Sequence, residues 1–132
     1  MFSTIWKRFS RGDPLSIGRE FEKKIIHDLK QRGWWTYLTP NTISGQPFDI
    51  IAISDGTGIA IEVKHVKEYR FNLSRIEANQ RIAIQDFIEK GNDAFFVFGH
   101  DDIIYVADAE QILDCKEKSI DIRTLAKWSS WI

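Results

Sequence analysis

The pattern of hydrophobic and polar residues predicts a chain in which helices and strands alternate. Apolar residues recur at intervals of three and four after Ser16 and again after Ser74, as in helices with one buried side. A serine can cap each helix, with Ser74 and Glu77 forming a capping box, and a glycine follows each helix, at Gly33 and at Gly91. Apolar residues near the end of the chain predict two further helices, over 108–113 and 122–131.

Five apolar runs predict strands, over 34–38, 47–54, 59–64, 94–98 and 103–107. The fourth run is apolar throughout, which is typical of a central strand covered on both faces. The last two runs form a hairpin around 100–102. The resulting order, which is helix, strand, hairpin, helix, strand and strand, predicts an α/β sandwich with a mixed central sheet.

The second and third strands form a hairpin around Asp55–Gly58, in which two glycines can adopt positive φ without steric cost. A symmetric turn places Asp49 opposite Lys64 and Ile51 opposite Glu62. Because side chains alternate between the faces of a strand, Asp49, Glu62 and Lys64 project from one face. The other face carries the apolar residues that face the core, which are Ile50, Ala52, Ile59, Ile61 and Val63.

Three charged groups thus converge at one end of an apolar hairpin. Partial burial of charged groups costs free energy unless they pair or hold an ion. One interpretation is a structural Asp49–Lys64 pair across the strands, with Glu62 at a solvated edge. The other is a catalytic site, in which hard carboxylate oxygens favour Mg²⁺ or Mn²⁺ over zinc. The three histidines lack the spacing of zinc ligands.

Two helical residues are further candidates for this site. Glu20 lies beside the buried stripe of the first helix, and a surface ion pair with Lys24 is the alternative. Gln80 lies at the centre of the buried stripe of the second helix, where an unsatisfied amide costs a few kcal/mol. The partner of Gln80 is either the backbone or the charged end of the hairpin. The other residues of that stripe are Ile76, Ala83, Ile84 and Phe87.

Composition predicts a soluble, single-domain protein of the cytoplasm. The chain has 132 residues, 43% of them hydrophobic, without a membrane-spanning apolar run or a signal peptide. The single cysteine, Cys115, cannot form an intramolecular disulfide and indicates a reducing compartment. We divide the chain into a basic N-terminal arm, 1–15, and one folded domain, 16–132.

Positive charge is concentrated near the charged end of the hairpin, although the net charge is −1. Residues 1–35 contain eight basic and four acidic residues, a balance of +4, and residues 64–81 contain five and two, a balance of +3. The acidic excess follows Asp86. This polarity predicts a basic surface of the kind that contacts nucleic-acid phosphates, with Lys23, His65, Lys67, Arg70 and Arg75 as candidate contact residues.

The charged motifs, in their order along the chain, resemble those of the PD-(D/E)XK nuclease superfamily. The first is an acidic residue on the first helix, Glu20 in Gly18–Glu22, and the second is an aspartate after a polar loop, Asp49 in Ser44–Asp49. The third is a Glu-x-Lys strand, Glu62-Val63-Lys64, and the fourth is a helical glutamine, Gln80. Over residues 17–107 the chain is similar to Holliday junction resolvases of the archaeal type and of the bacterial RecU type. It departs from their pattern at Phe48, which separates Pro47 from Asp49, and in lacking the stalk of RecU enzymes.

The resemblance implies a restriction-endonuclease-like three-layer sandwich, with a central mixed β-sheet flanked by helices. It also implies a role for each matching residue. Asp49 and Glu62 would be metal ligands, together with the Val63 carbonyl and Glu20. Lys64 would orient the attacking water or stabilise charge on the phosphate. Gln80 matches the helix glutamine of RecU-like enzymes, and two residues would contact DNA, Arg19 at a phosphate and Ser44 in the polar loop.

The sequence therefore predicts a Mg²⁺-dependent, or Mn²⁺-dependent, endonuclease that resolves four-way DNA junctions. Two symmetric nicks need two active sites, so we expect a homodimer. Its interface would use aromatic residues of the C-terminus, Trp128 and Trp131, or of the second hairpin. The small domain without a stalk is typical of a viral or mobile-element version.

Two alternatives remain at this stage. One is another nuclease of the same fold, either restriction-like or specific for flaps in repair. The other is a DNA-binding module without catalysis, although Asp49, Glu62 and Lys64 are all intact.

Overall fold

The structure is a computed structural model that describes residues 14–40 and 48–132, with side chains from Arg19 onward. The predicted arm lies outside this range except for Pro14 and Leu15, which belong to the first helix. The helices are α1 Pro14–Gln31, α2 Ala78–Glu89, α3 Ala109–Leu113 and α4 Trp128–Trp131. The strands are β1 Trp35–Leu38, β2 Ile50–Ser54, β3 Thr57–His65, β4 Arg70–Asn72, β5 Asp93–His100, β6 Ile103–Asp108, β7 Ser119–Asp121 and β8 Ala126–Lys127.

Six strands form one sheet in the order β1-β2-β3-β5-β6-β8, and β4 pairs with β7 in a separate two-stranded sheet. Only β3 and β5 run parallel within the described sheets, and every other pair is antiparallel. The parallel pair results from the α2 connection that carries the chain across one face. The predicted α/β fold with a mixed central sheet is confirmed.

Each face of the central sheet is covered by helices. Helix α1 packs its buried residues, Phe21, Ile25 and Leu29, against one face. Helices α2 and α3 cover the other face, where Phe96 and Phe98 of β5 are fully buried. Val97 of the same strand is buried beneath α1, so β5 is covered on both faces, as its continuous apolar sequence predicts.

A close approach between α1 and β5 fixes the first helix on the sheet. The ring of Phe21 lies so near Gly99 that a Cβ atom at that position would collide with it. Glycine therefore allows the N-terminal half of α1 to approach the end of β5, which also holds the acidic residues of that helix near the end of β3.

The hairpin turn differs from the predicted one. Ser54 pairs with Thr57, so the turn consists of Asp55 and Gly56, which have φ values of 48° and 79°. Two consecutive positive φ values define the type I′ turn that suits two-residue hairpins. Gly58, the other glycine of the predicted turn, lies in β3.

The predicted hairpin register was also wrong, by two residues. Ile50 pairs with Ile61 and Ile51 with Ala60, so Asp49 lies opposite Glu62 rather than Lys64. The cause is the position of the turn, whose centre lies one residue before the centre of the predicted turn, Asp55–Gly58. A shift of two leaves every side chain on its predicted face, because faces alternate with a period of two.

Two predicted helix starts were wrong. Helix α1 begins at Pro14, before Ser16, since proline suits the first helical position. Helix α2 begins at Ala78, with Glu77 as N-cap and Gln80 as the third residue of a reciprocal capping box. Ser74 instead lies in a 3₁₀ turn, Leu73–Arg75, whose first residue is held by a bond from its N–H to the Lys118 carbonyl.

The helix predicted over 122–131 was also wrong. This segment contains a 3₁₀ turn, Ile122–Thr124, then β8, then the single-turn helix α4. Strand β8 pairs with β6 at the sheet edge, so its backbone N–H and C=O groups bond to β6 and are not available for a longer helix. None of the helices within residues 14–40 and 48–132 is long and apolar enough to cross a membrane.

Candidate active site

The open end of the β2–β3 hairpin places Asp49 beside Glu62. The N–H of Asp49 donates to the Ile61 carbonyl at 3.0 Å, which is the last link between these strands. One step further on, the Asp49 carboxylate accepts the N–H of Val63 through Oδ2 at 2.7 Å. A side chain thus replaces a backbone partner where the two strands separate, and both carboxylates are buried there.

Glu62 is the most enclosed carboxylate of this site, with 4% of its surface exposed. Its Oε2 accepts hydrogen bonds from Lys64 Nζ at 2.9 Å and from Gln80 Nε2 at 2.8 Å. Its Oε1 is buried and has no hydrogen-bond partner among the described residues. A buried carboxylate oxygen without a donor is a position that a cation can satisfy.

Gln80 connects the hairpin to the start of α2. Its Oε1 accepts from Lys64 Nζ and from the N–H of Glu77, each at 3.3 Å, while its Nε2 donates to Glu62. These three hydrogen bonds are directed at the capping box and at the charged end of the hairpin. The interpretation in which Gln80 faces the charged end of the hairpin is confirmed. Gln80 reaches Glu62 and Lys64 because it is the third residue of α2.

The structure excludes the simple structural interpretation of the hairpin charges. Lys64 pairs with Glu62 rather than with Asp49, and Glu62 is buried rather than at a solvated edge. Burial, together with the negative charge of Asp49, raises the pKa of Glu62 to about 8 against the opposing effect of Lys64. Two carboxylates close together in a buried site thus disfavour a second negative charge, and one lysine does not remove this penalty.

A residue that the sequence interpretation missed, Glu22, is coupled electrostatically to this site. Burial, together with the negative charge of Asp49, raises the pKa of Glu22 to about 7 against the opposing effect of Arg19. A signal was present in the sequence, because Glu22 precedes the partly buried Ile26 by one helical turn.

Glu20, the predicted acidic residue of α1, is also buried, and its Oε1 lies 3.5 Å from Lys23 Nζ. The alternative pair with Lys24 was wrong, since Lys24 contacts Asp28 at 3.4 Å. Glu20 and Glu22 project from different sides of α1, because helical residues two positions apart in the sequence differ by about 200° around the helix axis.

The donor set fits a hard divalent cation. Within residues 14–40 and 48–132, no set of three or more His, Cys, Asp or Glu side chains forms a metal site. Mg²⁺, however, is usually held by one or two carboxylates, with waters and substrate phosphates completing its shell. Asp49 and Glu62 provide two such carboxylates, and the buried Oε1 of Glu62 has no hydrogen-bond partner among the described residues.

The residues predicted to contact DNA fall into three groups. His65, Lys67, Arg70 and Arg75 line a single cavity that begins directly after Lys64. Arg19 and Lys23 lie on exposed positions of α1 near Glu22, whereas Ser44 lies outside the described residues.

The His65 ring packs 5.5 Å from the ring of Phe21, between centroids, and burial lowers its pKa. His100 is buried, with Nδ1 2.8 Å from the Val66 carbonyl oxygen.

The comparisons with known proteins agree with this geometry. A family model described as archaeal Holliday junction resolvase (Hjc) matches residues 14–130. No curated protein sequence matches the chain. Hjc of Archaeoglobus fulgidus, a Holliday junction resolvase from an archaeal hyperthermophile, aligns with a TM-score of 0.66 and 22% identity, covering 86% of this chain and 98% of that chain. The crystal structure of SSO0001 aligns with a TM-score of 0.45 and 13% identity over 85% of this chain and 64% of that one.

Proposed function

Because the chain belongs to the archaeal Holliday junction resolvase family, we propose that it cuts four-way DNA junctions by hydrolysis that requires Mg²⁺ or Mn²⁺. The observation that carries this proposal is the buried pair of carboxylates, Asp49 and Glu62, joined to Lys64 and Gln80 at the open end of the hairpin. The predicted resemblance and the family match agree on this class of enzyme.

Asp49 and Glu62 would hold the cation, with the Val63 carbonyl as a further ligand. Such an ion supplies a nucleophilic water and stabilises charge on the scissile phosphate. Lys64 carries a positive charge next to Glu62 and would orient the water or contact a phosphate oxygen. Gln80 touches neither DNA nor water in this scheme. It positions Glu62 and Lys64 through its two polar atoms.

The acidic residue of α1 in this site is Glu22 rather than Glu20 in our proposal. Glu22 interacts with Asp49, whereas the Glu20 carboxylate contacts Lys23. Comparison of Glu22→Gln with Glu20→Gln at several Mg²⁺ concentrations tests the choice. We expect the first variant to need more Mg²⁺ for half-maximal cleavage. The opposite ranking would restore Glu20.

We propose that the enzyme acts as a homodimer, since two symmetric nicks need two sites. Of the predicted interface residues, Trp128 is 2% exposed and belongs to the core, whereas Trp131 packs against Phe95 but keeps 37% of its surface exposed. The edge of the sheet at β1 is a better candidate. Trp35 is 59% exposed and stacks on Tyr37, with ring centroids 6.3 Å apart.

Ile53 lies directly opposite Trp35 and extends the same exposed surface. Sedimentation of a Trp35→Ala/Tyr37→Ala variant tests this interface, with Ile82→Ala as the control for loss of an exposed hydrophobic side chain on α2. We expect the double variant to be monomeric and the control to remain dimeric. A strictly monomeric wild type that still cuts junctions symmetrically would contradict the homodimer.

The proposed activity is tested with a labelled four-way junction beside matched linear duplex and flap substrates, in Mg²⁺ and in EDTA. Asp49→Asn is the active-site variant. Asp55→Asn, at the turn of the same hairpin, is the matched control, because asparagine also adopts positive φ. We expect paired nicks in the junction only, lost in EDTA and reduced at least about 100-fold by Asp49→Asn.

Other outcomes identify the alternatives. Equal cutting of all three substrates would replace junction resolution with general nuclease activity at the same site. Tight binding without cutting in any metal would assign the chain to the class of DNA-binding modules.

A further inference from the structure

A basic cavity lies directly beyond the strand that carries Glu62 and Lys64. Its volume is about 550 Å³, and it is formed by the end of β3, the following connector, β4 and the 3₁₀ turn. Three of its lining residues are cationic, Lys67, Arg70 and Arg75, and one is acidic, Glu68. The cavity therefore has a net positive charge and opens beside the candidate active site.

The cations of this cavity form no close ion pair within the described part of the chain. Among the ion pairs of residues 14–40 and 48–132, none includes Lys67, Arg70 or Arg75. Asp121 lies opposite Arg70 in the β4–β7 pair and feels its charge, but its carboxylate contacts Arg123 at 2.7 Å. The cavity thus keeps positive charge that close ion pairs offset elsewhere on the surface, as between Lys90 and Asp86 at 2.8 Å.

Both arginines of the cavity are anchored by the protein. Arg75 donates from Nη2 to the His65 carbonyl at 3.2 Å, and its Cζ lies 5.1 Å from the ring centre of the buried Phe71. Arg70 donates from Nε to Ser119 Oγ at 3.1 Å, on the strand that pairs with β4. A guanidinium has five N–H donors, so each anchor leaves several of them for an anion.

We propose that Arg70 and Arg75 form a clamp for a DNA backbone phosphate and that this clamp determines which phosphodiester is cut. The inference rests on the proposed function, because a clamp selects a cut site only on DNA that engages Glu62 and Lys64. The anchor of Arg75 is the carbonyl of the residue after Lys64, so the backbone fixes the spacing between clamp and active site. A fixed spacing selects one phosphodiester without reading any base.

The experiment compares the wild type with Arg70→Gln, Arg75→Gln and Arg75→Lys. Arg32→Gln is the control, since Arg32 is exposed just beyond the far end of α1, about 15 Å along the helix axis from Glu22. Nicks in a labelled four-way junction are mapped at single-nucleotide resolution in Mg²⁺. Junction binding is measured in EDTA at several salt concentrations, and thermal unfolding verifies that each variant is folded.

We expect each glutamine variant to bind about tenfold more weakly near 0.1 M salt, with the slope of log Kd against log salt reduced by about one. Their nicks should spread over neighbouring phosphodiesters. Arg75→Lys should keep the salt slope but not the single cut position, because lysine carries the charge without the rigid fork of donors. Arg32→Gln should bind and cut as the wild type does.

A single, unchanged cut position in both glutamine variants would overturn the clamp. Full recovery of cut position by Arg75→Lys would also overturn it, in favour of general electrostatic attraction. A wild type that cuts nothing would contradict the proposed function instead. The salt slopes in EDTA would then still decide whether Arg70 and Arg75 contact phosphates.

Discussion

Two short ion pairs of this protein have opposite electrostatic consequences. Lys64 contacts Glu62 at 2.9 Å inside the candidate site, and Arg123 contacts Asp121 at 2.7 Å on the surface. The pKa of Glu62 is raised to about 8, by burial and by the charge of Asp49. The pKa of Asp121 is lowered to about 2 by its hydrogen bonds to Arg123.

The difference shows that the interior pair is not there for stability. An exposed ion pair gains a little coulombic energy and keeps most of its hydration. A buried ion pair must first lose its hydration, which costs several kcal/mol per ion. At Glu62 a second carboxylate adds repulsion, and one oxygen lacks a donor. Such a costly arrangement is typical of a site that binds or reacts with something else.

The largest expected difference between the two pairs is in activity. Glu62→Gln should lower junction cleavage at least about 100-fold, because it removes the charge on which metal binding depends. Asp121→Asn should leave kcat at saturating DNA within about twofold, since exposed pairs contribute little. Single-turnover cleavage in Mg²⁺ measures both. Equal losses in the two variants would remove the distinction.

The second expected difference is in the pH dependence of stability without metal. Glu62 and Glu22, with folded-state pKa values of about 8 and about 7, bind more protons when folded than when unfolded, where their pKa is about 4.5. The free energy of unfolding should therefore fall as pH rises from about 5 to 8, by at most about 1.4 kcal/mol per pH unit for the buried Glu62 and by less for Glu22, because solvent screens its partly exposed charge.

Asp121 has the opposite sign and a different pH window. Its folded-state pKa is lowered from 3.8 to about 2, so its contribution is present above pH 4 and is lost as the pH falls towards 2. Urea unfolding in EDTA across this range separates the two effects. Glu62→Gln should flatten the decline between pH 5 and 8, and an unchanged slope in that variant would contradict the assignment.

A third difference concerns metal binding. At pH 8, Mg²⁺ at a hundred times its Kd should raise the free energy of unfolding by about 2.7 kcal/mol. Asp121→Asn should retain this increase and Glu62→Gln should lose it. Thermal unfolding with and without EDTA measures both, and a Mg²⁺ effect that survives Glu62→Gln would place the cation elsewhere.

The smallest expected effect is that of Gln80, which only positions the interior pair. Gln80→Leu removes its contacts with Glu62 and Lys64 and should lower kcat about tenfold, with a shifted pH profile. Gln85→Leu, at an exposed position of the same helix, is the control. If Gln80→Leu lowered stability but left the pH profile of kcat unchanged, the role of Gln80 would be limited to capping α2.

Several features of the site were predictable because they depend on short-range rules. Alternation along a strand placed Glu62 and Lys64 on one face, and a register error of two residues did not change that face. The buried stripe of α2 correctly oriented Gln80 towards the hairpin, although the helix begins at Ala78 rather than near Ser74.

Other features depended on how elements meet, which local patterns do not contain. The electrostatic coupling of Glu22 to Asp49 depends on how α1 packs on the sheet, where the ring of Phe21 meets Gly99. The cavity of Arg70 and Arg75 forms only because β4 pairs with β7, nearly fifty residues later.

The sequence by itself therefore determined the order of the elements, the faces of the strands and the charged motifs of the nuclease family, since each is written in spacings of a few residues. The tertiary structure alone decided the pairing register, the burial of Trp128 and the contacts that anchor Arg70 and Arg75. These features depend on contacts between segments that are distant in the sequence. Alternative arrangements of such segments have similar free energies, and only the packing of the whole core selects one of them.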